Sequence, residues 1–250
     1  MVVERFAVEG AVRAAGARLS EDERSALAGY AAKATWPAGF TVYDGGSPAD
    51  GVFVVLRGRI ILRNRIKGGR GFVPVVAMPG ETFGGEGLAD NGVYATDARA
   101  EDDAATLHLG RARVRALVRE RPQLAMALFG QMAAEHAALL ERTRELVTQS
   151  VEQRLVSAIL RAAETRADAE AGQPLTFDAG EYRLLCEMVG ATRESVSLVV
   201  ARLSASGLAK RSGGAVTVVA PERLADQLGG EPPEEREQSV PVATEEARPA

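Results

Sequence analysis

Gly190-Ala191-Thr192-Arg193-Glu194-Ser195-Val196-Ser197 reads as a tight turn followed by the start of a helix. Thr192 suits the N-cap, because its hydroxyl accepts from the backbone N–H of Ser195, a donor the first turn leaves unpaired. Val196, Val199, Val200 and Leu203 recur at helical spacing and would bury one face. Arg193, Glu194, Ser197 and Arg202 are left mostly outward. That division suits the major groove of DNA: an Arg pairs bidentately with guanine O6 and N7, and a Glu accepts from cytosine N4. Hydroxyls such as those of Thr192, Ser195 and Ser197, together with helix N-terminal N–H groups, suit phosphate.

Upstream, Asp178 caps a second helix whose apolar Leu184, Leu185, Met188 and Val189 face a core, and Gly190 ends it. Two helices joined by a short turn containing Gly make a helix-turn-helix. Downstream, Ser212-Gly213-Gly214 separates two short β-prone runs, Leu208 to Arg211 and Ala215 to Val219, which predicts a hairpin wing carrying Lys210 and Arg211. The alternative is a small helical domain whose charges are only its solvated face.

The chain has 250 residues, of which 46% are hydrophobic. It contains no apolar run near the roughly 18 residues that span a bilayer. The opening MVVERFAVEGAV lacks a basic segment followed by a long apolar one, so no secretory signal is read. The single Cys186 cannot form an internal disulfide and falls on the apolar side of its helix, as a buried, inert thiol would. A cytoplasmic protein with no membrane partner is expected. The formal net charge of −4 is held by the C-terminal stretch 229–250, with six Glu and two Arg; from Thr192 to Val219 the balance is +3. DNA binding needs such a local basic patch rather than a basic protein.

Towards the N-terminus, residues 1–35 read as helical and mixed. Ser20-Glu21-Asp22-Glu23 fits a capping box opening a helix through Leu27 to Ala34. From Trp36 the texture changes to β-branched runs punctuated by Gly and Pro: Pro37 to Gly46, Val52 to Leu62, Phe72 to Ala77, and later Ala104 to Leu109. These predict an antiparallel jelly roll or barrel. Between them lies Pro79-Gly80-Glu81-Thr82-Phe83-Gly84-Gly85-Glu86-Gly87-Leu88-Ala89-Asp90. Glycines around an acidic residue let backbone N–H groups crowd an anion while the carboxylate takes a sugar hydroxyl. A glycine-rich barrel turn with nothing bound is the alternative.

Pro122 suits the first turn of a helix reaching Thr148 or Gln149, about 40 Å at 1.5 Å per residue. Ala125, Leu128, Met132, Glu135, Leu139, Arg142 and Leu146 alternate three and four apart as a heptad seam with two polar interruptions. A parallel homodimer across residues 122–148 is expected from it, with packing onto the chain's own barrel as the alternative. Ser150 to Ala169 forms another helix with Val151, Leu155, Ile159 and Leu160 as its core side. Residues 229–250, rich in Pro and Glu, read as a disordered acidic tail. The expected organisation is a sensor barrel over 1–119, a dimerisation helix and hinge over 120–150, a winged helix-turn-helix over 151–228, and the tail.

The order of parts from about residue 18 to 220 resembles the Crp/Fnr superfamily of bacterial transcription regulators, related to the cyclic-AMP receptor protein and the fumarate-nitrate regulator. The marks are Gly39 and Gly46, Leu56-Arg57-Gly58-Arg59, Gly80-Glu81-Thr82-Phe83-Gly84-Gly85-Glu86, and Thr192-Arg193-Glu194-Ser195-Val196-Ser197. The resemblance implies an α+β chain: an N-terminal cyclic-nucleotide-binding-like jelly-roll barrel, a long dimerisation helix and a C-terminal winged helix-turn-helix. It implies a homodimer on a near-palindromic site in double-stranded DNA, a hinge near Ser150, and RNA polymerase as protein partner. The effector site it implies comprises Gly84, Gly85, Glu86, Gly87, Leu88, Tyr94, Ala95, Leu139 and Leu140.

Departures from the pattern bear on that site. Where cyclic-AMP binders carry an Arg-Ser pair for the cyclic phosphate, this chain has Tyr94-Ala95. A charge-assisted Arg bond contributes about 1.5–3 kcal/mol, and a Tyr hydroxyl offers one neutral donor. Leu139 and Leu140 stand where those binders place hydroxyls toward adenine, and Glu86 without a cationic partner repels an anion. The expected effector is therefore a small molecule other than cyclic AMP, or ligand control is lost. In the recognition helix Leu198 stands where a further basic residue often sits. One Cys excludes a four-Cys iron–sulfur cluster. His108 and His136 could each ligate a haem iron, so haem stays an open alternative, but neither lies in a ligand motif; each reads as a structural or surface histidine, and no cofactor or metal is expected. No nucleophile-base pair is evident, so an enzyme is not expected. The competing class is a ligand- or protein-binding module in which the helix-turn-helix is a scaffold.

Overall fold

A computed structural model of the chain describes residues 18–65, 71–165, 173–219 and 221–224. The expectations for residues 1–17, for the end of the helix at 166–169 and for the tail 229–250 lie outside them. Helix α1 spans Glu21–Leu27 and forms behind the reciprocal cap read from sequence. Ser20 Oγ accepts from the Glu23 N–H at 3.2 Å and the Glu23 carboxylate accepts from the Ser20 N–H at 2.8 Å. The helix is shorter than expected. A 3-10 turn carries Ala28–Tyr30, and Ala32–Trp36 is strand β1 rather than helix. Its ladder partner is far away in sequence: β1 pairs antiparallel with the strand Ala104–Gly110, from Ala32 opposite His108 to Trp36 opposite Ala104. The Trp36 indole N–H then donates to Thr106 Oγ1 at 2.9 Å. Tertiary pairing overrides the local helical pattern there.

The remaining barrel strands are β2 Thr41–Tyr43, β3 Gly51–Arg57, β4 Ile60–Arg65, β5 Gly71–Ala77, β6 Thr82–Phe83, β7 Asp97–Ala100 and β8 Ala104–Gly110. They form two antiparallel four-stranded sheets, β1-β8-β3-β6 and β2-β7-β4-β5. The run Val52 to Leu62 divides at Gly58, whose φ is +74° and where a Cβ would lie 2.7 Å from the Asp103 carbonyl oxygen. The strand β3 is apolar along its length because both its faces are covered. Phe53 and Val55 meet the second sheet, and Val52 and Val54 meet the helices that follow the barrel.

Those helices are α2, Arg111–Glu120, and α3, Pro122–Thr148. Pro122 occupies the first turn of α3. The heptad seam read from sequence faces the chain's own barrel: Ala125, Leu128 and Met132 pack with Leu109 and Leu117, and Leu139 packs on the aromatic core. Glu135 accepts from the Thr82 hydroxyl at 3.0 Å, and Arg142 is buried against Glu145. A different stripe is open. Met126, Gly130, Ala133, Ala137, Leu140, Arg144 and Val147, again alternating four and three apart, are exposed.

The C-terminal unit comprises α4 Val151–Thr165, β9 Leu175–Phe177, α5 Ala179–Val189, α6 Arg193–Ala205, β10 Ala209–Ser212, β11 Ala215–Val218 and α7 Pro221–Leu224. Leu155, Ile159, Tyr182, Leu185, Val189, Val196, Val200 and Leu203 are buried together in its core. The wing hairpin gains a third strand, in the order β10-β11-β9. Three residues are too few for β9 to show a period in sequence. Cys186 is buried in this core, and burial pushes its thiol up. Among the described residues, no helix is long and apolar enough to cross a membrane.

Candidate nucleic-acid interface and barrel interior

The helix-turn-helix is fixed by its caps. Asp178 accepts from the backbone N–H groups of Gly180 and Glu181, both at 2.8 Å, and Glu181 returns a bond to the Asp178 N–H at 3.0 Å. Gly190 ends α5 in the left-handed region at φ 66°. A Cβ there would press on Phe72 and Leu146 as well as strain the backbone. Thr192 then opens α6, its Oγ1 accepting from the Ser195 N–H at 3.2 Å and lying 2.9 Å from the Ser195 hydroxyl. Ser195 therefore serves the cap as well as the surface.

Arg193 and Glu194 are exposed at the start of α6, and Lys210 and Arg211 are exposed on the wing. The guanidinium of Arg211 lies over the ring of buried Tyr182, 5.5 Å from its centroid. The Tyr182 hydroxyl is 3.5 Å from that of Ser197. Tyr182 thus joins the wing to α6, a role signalled in sequence by nothing beyond one aromatic residue in an apolar helix face. Arg202 differs from the other basic residues. Its Nη2 lies 2.8 Å from Glu152, which draws it towards the start of α4.

The turn of the motif is also held by the barrel. Arg63 on β4 pairs with Glu187 on α5 at 2.7 Å, and Arg142 on α3 donates to the Met188 carbonyl. Arg142 also meets Glu145 at 2.6 Å, and Glu145 meets Arg161 of α4 at 2.6 Å. No sequence signal marks these contacts, since the partners Arg63 and Glu187 stand 124 positions apart.

Inside the barrel, aromatic side chains occupy the space beside the glycine-rich turn. Tyr94 is 4% exposed and stacks on Tyr43, with ring centroids 3.7 Å apart and planes 9° apart. Phe53 stacks on Phe83 at 4.9 Å. Gly84 adopts φ +72°, and a Cβ on it would meet Tyr94, Phe53 and Tyr43 within 3.3 Å. The 3-10 turn Gly85–Leu88 follows. Its Glu86 carboxylate accepts from the Ala95 N–H at 3.3 Å, so the acidic group already has a partner in the chain. Burial pushes the phenols of Tyr43 and Tyr94 upward, keeping both neutral.

Of the other residues assigned to this site, Gly87 packs on the backbone of Gly51, Leu88 packs at the helix-covered face of β3, and Leu139 packs on the aromatic core. Leu140 is 58% exposed and points away from that core. Burial holds the Glu135 carboxyl up at about 7; the Thr82 hydroxyl pulls it down, and Glu86 and Glu81 push it up again. His108 lies 3.1 Å from Asp50 and against Phe53, while His136 is exposed on α3. Among the described residues, no group of three or more His, Cys, Asp or Glu is placed to hold a metal.

A two-sheet antiparallel barrel carried by a long helix to a winged helix-turn-helix defines a class: a DNA-binding regulator built on a cyclic-nucleotide-type barrel. Residues 33–121 match the cyclic nucleotide-binding domain family, and residues 153–227 match the Crp-like helix-turn-helix domain family. The chain belongs to the Crp/Fnr family of transcription regulators. It is 24% identical over 191 residues to the CRP-like cAMP-activated global transcriptional regulator of Mycobacterium tuberculosis, covering 76% of this chain and 85% of that protein. It is 27% identical over 203 residues to the cyclic AMP receptor protein of Thermus thermophilus, covering 80% of this chain and 89% of that protein. In fold it is similar to the c-di-GMP responsive global regulator CLP of Xanthomonas campestris, with a TM-score of 0.68 at 20% identity over 80% of this chain and 99% of that one.

Proposed function

We propose that this Crp-like regulator acts as a cytoplasmic homodimer that reads a near-palindromic DNA site through α6, without control by cyclic AMP. The observation that carries the DNA reading is the Thr192-capped start of α6, with Arg193 and Glu194 exposed beside a basic wing. Arg193 is assigned to a guanine edge and Glu194 to a cytosine amine. Thr192, Ser195, Lys210 and Arg211 are assigned to backbone phosphates near the helix start and wing. RNA polymerase is the protein partner on which such a regulator acts.

Two-fold symmetry is assigned to the open stripe of α3 rather than to the seam that packs on the barrel. Along Met126, Gly130, Ala133, Ala137, Leu140, Arg144 and Val147 two helices can approach closely at the small residues, with larger apolar groups towards both ends and the Arg144 charge met by Glu141 of its own helix. The absence of cyclic-AMP control is supported by the Tyr94–Tyr43 stack, which fills space beside the glycine turn and puts a neutral phenol where the resemblance places an arginine.

Selection of bound sequences from random duplex DNA at near-physiological salt, with no added nucleotide, tests the reading. The expected product is an inverted repeat with half-sites about one helical turn apart. Arg193→Ala is expected to lose about 1–3 kcal/mol at one base position per half-site. Binding that is weak, steeply salt-dependent and indifferent to sequence would instead assign the helix-turn-helix a scaffold role.

A further inference from the structure

We propose that Leu198 reads the 5-methyl group of a pyrimidine in the major groove, and so sets one base of each half-site. The inference rests on α6 being the recognition helix. Leu198 is 69% exposed, and it lies four residues beyond Glu194, so the two side chains share one outward ridge. Ala201, the next exposed residue along that ridge, also carries no polar atom. Arg202, one turn beyond Leu198, is paired with Glu152 of α4 at 2.8 Å. The Ser197 hydroxyl lies on the side of Tyr182. The ridge is therefore polar at its N-terminal end, with Arg193 and Glu194, and apolar one turn further on.

The major groove offers few edges that suit such a surface. Guanine, adenine and cytosine present donors or acceptors there, and the thymine methyl is the one apolar group among the four bases. A leucine pressed on a donor or acceptor would strip it of water and give nothing back, which disfavours those bases. A leucine over a methyl removes apolar area on both sides from water. Cytosine methylated at carbon 5 carries the same group, so thymine and 5-methylcytosine are the two possible sources.

The test uses the full-length protein and the DNA sequence obtained by selection. Each thymine of the half-site is replaced in turn by uracil, which removes one methyl and leaves the pairing unchanged. Affinity is measured for the wild type and for Leu198→Ala, a surface change that leaves the core of α6 intact. At one position per half-site, uracil is expected to weaken the wild type about fourfold, the worth of one buried methyl. Leu198→Ala is expected to bind thymine and uracil there equally. In a parallel arm the same base pair is changed to cytosine and to 5-methylcytosine. Recovery with 5-methylcytosine supports reading of the methyl from either source, and recovery with thymine alone supports thymine as the source. The proposal is overturned if no uracil replacement distinguishes the wild type from Leu198→Ala. A selection that enriches no sequence overturns the reading of α6 itself, and this proposal with it.

Discussion

Tyr94 lies face to face with Tyr43 inside the barrel, with ring centroids 3.7 Å apart. Tyr94 stands at the position where the resemblance places the arginine of cyclic-AMP binders. The substitution replaces a cationic anchor by part of an aromatic core that also includes Phe53 and Phe83. Truncation by Tyr94→Ala is expected to destabilise the fold by about 3–4 kcal/mol, measured by denaturant unfolding. Scanning calorimetry of the wild type with millimolar cyclic AMP is expected to show no rise in Tm. A ligand at a hundred times its Kd would add about 2.7 kcal/mol, so a saturable rise would contradict the filled barrel.

Glu135 makes the barrel–helix contact sensitive to pH. Its carboxyl, held up to about 7 chiefly by burial, keeps its proton in the fold at pH values where an unfolded chain has released it. Below the ordinary value of 4.5 both states are protonated and no penalty exists. As pH rises from there to about 7 the unfolded state gains charge first, so stability falls, and it levels off above. The total loss is on the order of 3 kcal/mol. Glu135→Gln keeps a polar group beside Thr82 and is expected to flatten this slope in denaturant titrations between pH 4.5 and 8. An unchanged slope would assign the pH dependence elsewhere.

Arg142, 7% exposed, joins three elements: it meets Glu145 on its own helix, bonds the Met188 carbonyl at the end of α5, and through Glu145 is linked to Arg161 on α4. Removing Arg142 leaves Glu145 paired with Arg161 but takes a donor from the Met188 carbonyl and one of the cations from the buried network. Arg142→Ala is expected to cost about 3 kcal/mol, while the triple change Arg142→Met, Glu145→Leu and Arg161→Met, which removes all three charges of the network, is expected to cost much less. Denaturant unfolding measures both. Limited proteolysis at the α3–α4 joint, Gln149 to Val151, is expected to quicken in Arg142→Ala, because the same side chain holds the turn of the helix-turn-helix.

The helix-turn-helix was legible because its information is local. Asp178, Gly190 and Thr192 each cap or turn the chain through bonds to near neighbours, and Val196, Val199, Val200 and Leu203 display their period within four turns. The barrel was legible as a class but not strand by strand. Ala32 to Thr35 continue a helical pattern and join Trp36 in β1 only through pairing with β8. The long helix misled for a related reason. It carries two heptad stripes, and the more hydrophobic one, through Leu128, Met132 and Leu139, is consumed by the chain's own barrel. Composition ranks stripes by apolarity, whereas the stripe left open is the one made of small residues. The links Arg63–Glu187 and Tyr182–Arg211 depend on how separate elements meet, which periodicity does not encode.

The open stripe of α3 gives the dimer a direct test. Leu140 and Val147, 58% and 81% exposed, lie two turns apart on it, with Ala133 and Ala137 before them. In a parallel pair each residue of the stripe faces its own copy, so Leu140→Glu sets two carboxylates against each other across a two-fold axis. Sedimentation equilibrium at micromolar concentration is expected to show a dimer for the wild type and a monomer for Leu140→Glu. Leu140 touches none of the barrel core, so the variant should unfold at the denaturant concentration expected for a folded monomer. A site with two half-sites then loses the gain of simultaneous engagement, and affinity is expected to fall about 10²-fold or more while a single half-site is bound as before. A Leu140→Glu protein that remains dimeric would return the interface to another surface, and the spacing of half-sites in the selected DNA would then have to be explained without the long helix.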